Sequence, residues 1–269
     1  MRPGLLALLL GACAGEVGAP PAELARVSDE VQYASVDRLG PHSFLTSITR
    51  SVQAPDEAAR QTDEAVEIKW VDWTTFSYRR VVNGEAVMAV TTVQNIPYLT
   101  RPDGSAERRD DAEPYRIELR SGWNTWDQAL ERFASRITLT DQGPDVVEGR
   151  PARRYAVSLT PPAAALSPKQ ADRQARQTRE RGEPRSLAGQ VWIDAATAVK
   201  LVADVTGEWV RGDTVERVTL KMSASGIGQP IDLRAPEHAT RAPLVPTESP
   251  NPPARGPAQK APARPKRAP

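Results

Sequence analysis

TTFSYRRVVNGEAVMAVTTV, residues 74–93, is the stretch whose reading decides the fold. Asn83-Gly84 separates two runs rich in β-branched and aromatic residues, and this dipeptide is the favoured centre of a two-residue type I′ turn. The stretch therefore predicts a tight antiparallel hairpin. Symmetric pairing about the turn sets 82 opposite 85, 80 opposite 87, 78 opposite 89 and 76 opposite 91, and opposite residues share a face. One face then carries Phe76, Tyr78, Arg80 and Val82 with Val87, Ala89 and Thr91. The other carries Ser77, Arg79 and Val81 with Ala86, Met88 and Val90. Neither face is cleanly polar. A sheet that is covered on one side and lines a groove on the other has this composition, whereas a one-sided sheet alternates more sharply.

Working outward, AVEIKW (65–70) alternates Val66, Ile68 and Trp70 with charged residues and reads as the preceding strand. Before it, Pro21 to Leu39 places Leu24, Val27, Val31 and Val36 near helical spacing, and Gly40-Pro41 breaks the pattern. HSFLTSITRSV (42–52) fits either a second helix or a first strand. Downstream, NIPYLTRPDGSAERRDD (95–111) reads as a polar loop and PYRIELR (114–120) as a short strand. TWDQALERFASRI (125–137) reads as a helix opened by a Thr125–Gln128 capping box. VVEGRPARRYAVSL (146–159) turns at Gly149-Arg150-Pro151. LAGQVWID (187–194) turns through Ala195-Ala196-Thr197 into the next strand, and Arg211-Gly212-Asp213 turns into TVERVTLKMSAS (214–225). IGQPIDLRAP (227–236) reads as a last edge strand stopped by proline. Such a run of hairpins is an antiparallel meander. The stretch around 167–185 is highly charged with almost no apolar face, and is expected to be a solvated insertion.

The chain has 269 residues, 39% hydrophobic and 26% charged, with a net charge of +1. That balance lacks the basic footprint of a nucleic-acid partner. From Pro236 onward the chain is proline-rich and nearly devoid of apolar residues, which predicts disorder. Catalytic material is sparse. The two histidines are His42, beside a break, and His238, in the tail, so a His-based triad or zinc site is not expected. GIGQP leads into no helix and makes no phosphate-binding loop. Asp110 and Asp111 read as solvated ions. No cofactor, no metal and no catalytic residue are expected. Among the six tryptophans, each one singly reads as core, while as a set they suit the walls of an apolar groove.

At the N-terminus, LLALLLGAC (5–13) follows Arg2 and ends on Cys13, the one cysteine of the chain. About 20 apolar residues are needed to span a bilayer, so this run is too short for a span. Its order of positive residue, apolar run and small residues suits a secretory signal. Leu10-Gly11-Ala12-Cys13 resembles the bacterial lipobox. The resemblance implies cleavage before Cys13 and a diacylglycerol thioether on its thiol, in a lipoprotein bearing acyl chains such as palmitate. Ala14 and Gly15 lack the aspartate that retains enterobacterial lipoproteins in the inner membrane, which points to the outer membrane, facing the periplasm.

The element order, with VVEGRPARRYAVSL, GQVWIDAATAVKLVADVTG and IGQPIDLRAP, resembles the lipoprotein-carrier superfamily of LolA, LolB and the mycobacterial LppX/LprG lipoproteins. The resemblance implies a mainly β fold with helices (α+β), an unclosed antiparallel half-barrel capped by helices. The expected organisation is a signal peptide at 1–12, a lipidated N-terminus and linker at 13–21, the half-barrel at 22–236 and a disordered basic tail at 237–269.

Three functions remain open at this level. The first is a membrane-anchored envelope lipoprotein that binds a lipid or the acyl chains of another lipoprotein. Its ligand-binding candidates are Trp70, Phe76, Tyr78, Val87, Ala89, Trp192 and Trp209, on the hairpin face and neighbouring strands. The second is a non-catalytic scaffold with a filled core that holds an envelope protein partner. The third is a hydrolase with scattered carboxylates.

Overall fold

The computed structural model describes residues 36–160 and 182–241. Cys13, the expected N-terminal signal and helix, most of the charged stretch and the tail beyond 241 lie outside the described residues.

A 3-10 turn at Val36–Leu39 leads into β1 (His42–Gln53), which settles the open choice for HSFLTSITRSV in favour of a strand. Then come β2 (Arg60–Asp72), β3 (Thr75–Val82), β4 (Glu85–Val93), β5 (Ile96–Thr100) and β6 (Ala106–Arg108). Helices α1 (Glu113–Trp123) and α2 (Thr125–Leu130) follow, with a 3-10 segment at Glu131–Arg136. The chain continues as β7 (Ile137–Val147), β8 (Arg150–Leu159), β9 (Glu183–Asp194), β10 (Lys200–Arg211), β11 (Thr214–Ser225) and β12 (Thr240–Arg241). All twelve strands form one sheet in the order β12-β6-β5-β4-β3-β2-β1-β11-β10-β9-β8-β7. Its two end strands do not pair, so the sheet is an open half-barrel, antiparallel except at β12, with the helices on its inner face.

Several expectations are corrected. The hairpin turns at Asn83-Gly84, both at positive φ, but its register slips. Arg80 pairs with Met88 while Val81 pairs with Ala86, so Val87 is the extra residue of a bulge. Beyond it Tyr78 faces Val90 and Phe76 faces Thr92. The inner face is therefore Phe76, Tyr78, Val90 and Thr92, all buried, and Ala89 lies opposite Arg79 on the outer face. With this register the sheet alternates sharply after all. Outward charges pair across strands, as in Arg79–Glu67 at 3.4 Å and Lys221–Asp204 at 3.4 Å. Such exposed pairs are worth less than about 1 kcal/mol each.

PYRIELR is not a strand but the body of α1. Tyr115, Ile117 and Leu119 alternate in sequence, yet Ile117 is 57% exposed, and the buried residues are Leu119, Gly122 and Trp123, at helical spacing. Pro114 suits a first helical turn, and the Asp111 carboxylate accepts the Glu113 N–H at 2.9 Å. Gly122 lets the helix touch the sheet: a Cβ there would lie 2.8 Å from Tyr78 Cε2 and 3.0 Å from Val66 Cγ1. The expected helix at 125–137 is α-helical only to Leu130. Thr125 makes no cap. Its hydroxyl donates to Thr46 Oγ1 in the core at 3.2 Å, and the Gln128 amide reaches back to Ser121.

The expected loop at 95–111 holds β5 and β6, because Gln94 and Asn95, both at positive φ, form a second two-residue turn. The β7–β8 turn is Glu148-Gly149, leaving Arg150-Pro151 inside β8. Ile227 to Pro236 forms no strand. Instead Thr240–Arg241, inside the segment assigned to the tail, pair parallel to Glu107–Arg108.

The inner face can be followed in rows across the strands. The first is Thr92, Phe76, Trp70 and His42, under Trp73 and Trp123. The next carry Val90, Tyr78, Ile68, Phe44 and Ala224, then Arg80, Val66, Thr46, Met222, Ala203 and Val191. Nearly all of these side chains are buried against the helices. His42 is fully buried. Its Nδ1–H donates to the Gly40 carbonyl at 2.7 Å, and Nε2 has no partner among the described residues. Burial pushes its pKa down, against the Gly40 hydrogen bond and the Asp37 charge. Below the ordinary value of 6.5 the unfolded chain therefore takes up a proton that the folded chain resists. Stability is expected to be full above that value and to decline as pH falls from it toward the folded pKa. A thermal midpoint lower at pH 5 than at pH 7, with a smaller difference in His42→Asn, is the expected result. A His42 imidazole NMR titration with its midpoint at or above 6.5 would contradict it.

Candidate functional site

The helices do not cover the whole inner face. Phe133, on the 3-10 segment, rests on Gly207 of β10, where a Cβ would lie 2.7 Å from Phe133 Cζ. Beyond this contact two rows continue toward the open end. One runs Thr62, Arg50, Val218, Gly207 and Leu187; the other runs Val52, Glu216, Trp209 and Pro184. Here the sheet and the 3-10 segment bound a cleft of about 270 Å³. Its apolar lining is Ala129, Phe133, Trp209 and Val218, with Trp209 edge-on to Phe133 at 5.8 Å between centroids. Arg50, Gln128, Glu131, Arg132 and Glu216 complete it.

The charges are arranged in two groups. Arg132 pairs with Glu216. Arg80 Nε donates to Glu64 at 2.7 Å, and Arg50 stands 3.8 Å from the other oxygen of the same carboxylate. Burial disfavours the Arg80 charge, but the Glu64 hydrogen bond and charge outweigh it and hold Arg80 above its ordinary pKa.

The seven sequence candidates do not form one site. Trp70, Phe76 and Tyr78 are packed core under α1. Trp70 meets Trp73 and Trp123 edge-on at 4.7 and 4.9 Å, and burial, with the Glu118 charge, pushes the Tyr78 hydroxyl pKa up to about 12. Val87 is 55% exposed at the bulge, and Ala89 is on the outer face. Trp192, half-buried on β9, donates its indole N–H to Asp145 Oδ2 at 2.8 Å. Trp209 alone of the seven lines the cleft. Sequence reading missed its companions because Arg50, Phe133 and Glu216 are far apart in the chain and carry no shared motif.

Three solved structures show what the chain is similar to. The lipoprotein LppX of Mycobacterium tuberculosis matches at 12% identity over 78% of this chain and 99% of that one, with a TM-score of 0.28. A LolA superfamily protein of Nitrosomonas europaea matches at 10% identity over 78% and 94%, with a TM-score of 0.22. MucB in the MucA/MucB complex of Pseudomonas aeruginosa matches at 16% identity over 80% and 62%, with a TM-score of 0.29. No family model and no curated protein matches the chain. The first two belong to the group that the sequence motifs resemble.

A half-buried lysine lies elsewhere on the sheet. Lys200 lies 5.6 Å over the Trp126 ring; burial pushes its pKa down, and the Asp127 charge opposes this. Among the described residues no cluster of three or more His, Cys, Asp or Glu is placed to hold a metal ion.

Proposed function

We propose that the protein is a non-catalytic, lipid-anchored binding protein of a bacterial envelope that takes an apolar ligand, a lipid or acyl chain, at the open end of its half-barrel. One observation supports this reading: the inner face runs on past the helices into a cleft where the apolar side chains of Ala129, Phe133, Trp209 and Val218 lie beside the polar Arg50, Gln128, Glu131, Arg132 and Glu216. The binding position moves from the hairpin face of Phe76 and Tyr78, where the hollow is filled, to this cleft. Its volume of about 270 Å³, just below the about 300–1,000 Å³ of small-molecule sites, suits a single chain. Anchoring through Cys13 in the outer membrane is part of the same proposal and rests on Arg2, the leucine run and Gly11-Ala12-Cys13. The filled hollow favours a second reading, a scaffold that holds an envelope protein partner.

Tryptophan fluorescence of the purified full chain should be quenched by a dibrominated fatty acid, and Trp209→Phe should remove most of that quenching. Absence of quenching, together with no lipid co-purifying in native mass spectrometry, would leave the scaffold. For the anchor, cells labelled with radioactive palmitate should incorporate label into the wild type and none into Cys13→Ala. Equal labelling of both would overturn the anchoring site.

A further inference from the structure

We propose that the cleft is selective for a single-chain carboxylate, a free fatty acid, with Arg50 as the residue that reads its head group. The inference rests on the binding reading above and deepens it.

The argument starts from the arginines of the inner rim. Arg50, Arg80 and Arg132 face two half-buried carboxylates, Glu64 and Glu216. Arg132 engages Glu216, and Arg80 donates a hydrogen bond to Glu64. Arg50 is left at 3.8 Å from Glu64, beyond hydrogen-bond range, and no hydrogen bond reaches its guanidinium among the described residues. Its side chain is 31% exposed, so the group is held at the wall of the cleft without being surrounded by water. Glu131 and Arg132 are both exposed, and water screens their charges. The charges of the rim balance, and Arg50 is the arginine among them whose guanidinium makes no hydrogen bond among the described residues.

A guanidinium presents its N–H groups as a planar fork that matches the two oxygens of a carboxylate. Arg50 precedes Val218 and Gly207 in one row across the strands, and Phe133 closes on Gly207. A carboxylate on Arg50 would thus have the apolar lining beside it for its chain. The adjacency of a guanidinium fork that makes no hydrogen bond and the apolar side chains of the cleft suits an anionic amphiphile, and a neutral ester satisfies only half of it. The cleft's small volume favours one chain over two.

The test uses the purified full chain and two probes, dibrominated stearic acid and its methyl ester, read by tryptophan quenching. The wild type should bind the acid about tenfold or more tightly than the ester, the range expected for a charge-assisted hydrogen bond. Arg50→Gln should bring acid and ester to near equality by weakening the acid. Arg50→Lys, which keeps the charge and loses the fork, should fall between; it carries the test should Arg50→Gln not fold. Equal binding of acid and ester by the wild type overturns the selectivity and leaves the binding reading standing. Failure of both probes to bind overturns the binding reading itself.

Discussion

Ala89→Glu should leave the protein folded, whereas Val90→Glu, one position along the same strand, should unfold it. The bulge at Val87 decides this. Val90 is buried, pairs with Tyr78 and belongs to the core beneath α1. A carboxylate there has no cation within the row and must ionise without water or take up a proton. The expected cost is about 4 kcal/mol or more, a large part of the roughly 5–15 kcal/mol that keeps a domain folded. Ala89 faces outward opposite Arg79, which already pairs with Glu67, so a glutamate there joins an exposed network of opposite charge. Its effect should stay within about 0.5 kcal/mol. Thermal melts of the two variants make the measurement. Destabilisation by Ala89→Glu and tolerance of Val90→Glu would mean that the hairpin pairs symmetrically and carries no bulge.

Phe76→Ala is the second large effect. The ring is completely buried in the row between Trp70 and Thr92, with Trp70 stacked on it at 6.4 Å. Truncation removes the ring's transfer energy and leaves a hole that Trp70, held by Trp73 and Trp123, cannot collapse into. Such changes cost about 3–5 kcal/mol. For a domain of this size each kcal/mol lowers the melting midpoint by about 2–4 °C, so a fall of about 10 °C is expected. The same variant also separates a filled hollow from a groove. A wall residue of an open groove would lose ligand affinity at little cost in stability. Here stability should fall, while quenching of Trp209 by the brominated acid should persist below the melting transition. A melting midpoint unchanged from wild type would show that Phe76 lines a groove.

Much of the meander was legible because turns are chemistry of two to four residues. Asn83-Gly84 and Arg211-Gly212-Asp213 bend the chain where their own conformational preferences allow it, Ala195-Ala196-Thr197 bends around the Asp194 carboxylate, which accepts the Ala196 and Thr197 N–H groups, and the period-two runs beside them predict strands. Gln94-Asn95 makes the same kind of turn with a weaker signature, and Asn95 was the residue that could have disclosed it. Periodicity failed where two periods coexist. Tyr115, Ile117 and Leu119 alternate, and Leu119, Gly122 and Trp123 repeat helically; contact with Val66, Ile68 and Tyr78 selects the helix.

What the sequence by itself determined is the class: hairpins in series, joined into an antiparallel meander with helices. Register and site belong to the tertiary structure. The Asn83-Gly84 turn is compatible with pairing Phe76 to Thr91 or to Thr92, and packing beneath α1 selects Thr92, because that register places Val90 beside Tyr78 in the core. The cleft likewise exists only because the strand order β1-β11-β10 sets Arg50, Glu216 and Trp209 side by side and α2 leads the chain back over them at Phe133. No local preference encodes that adjacency; it follows from which strands meet when the apolar faces are buried.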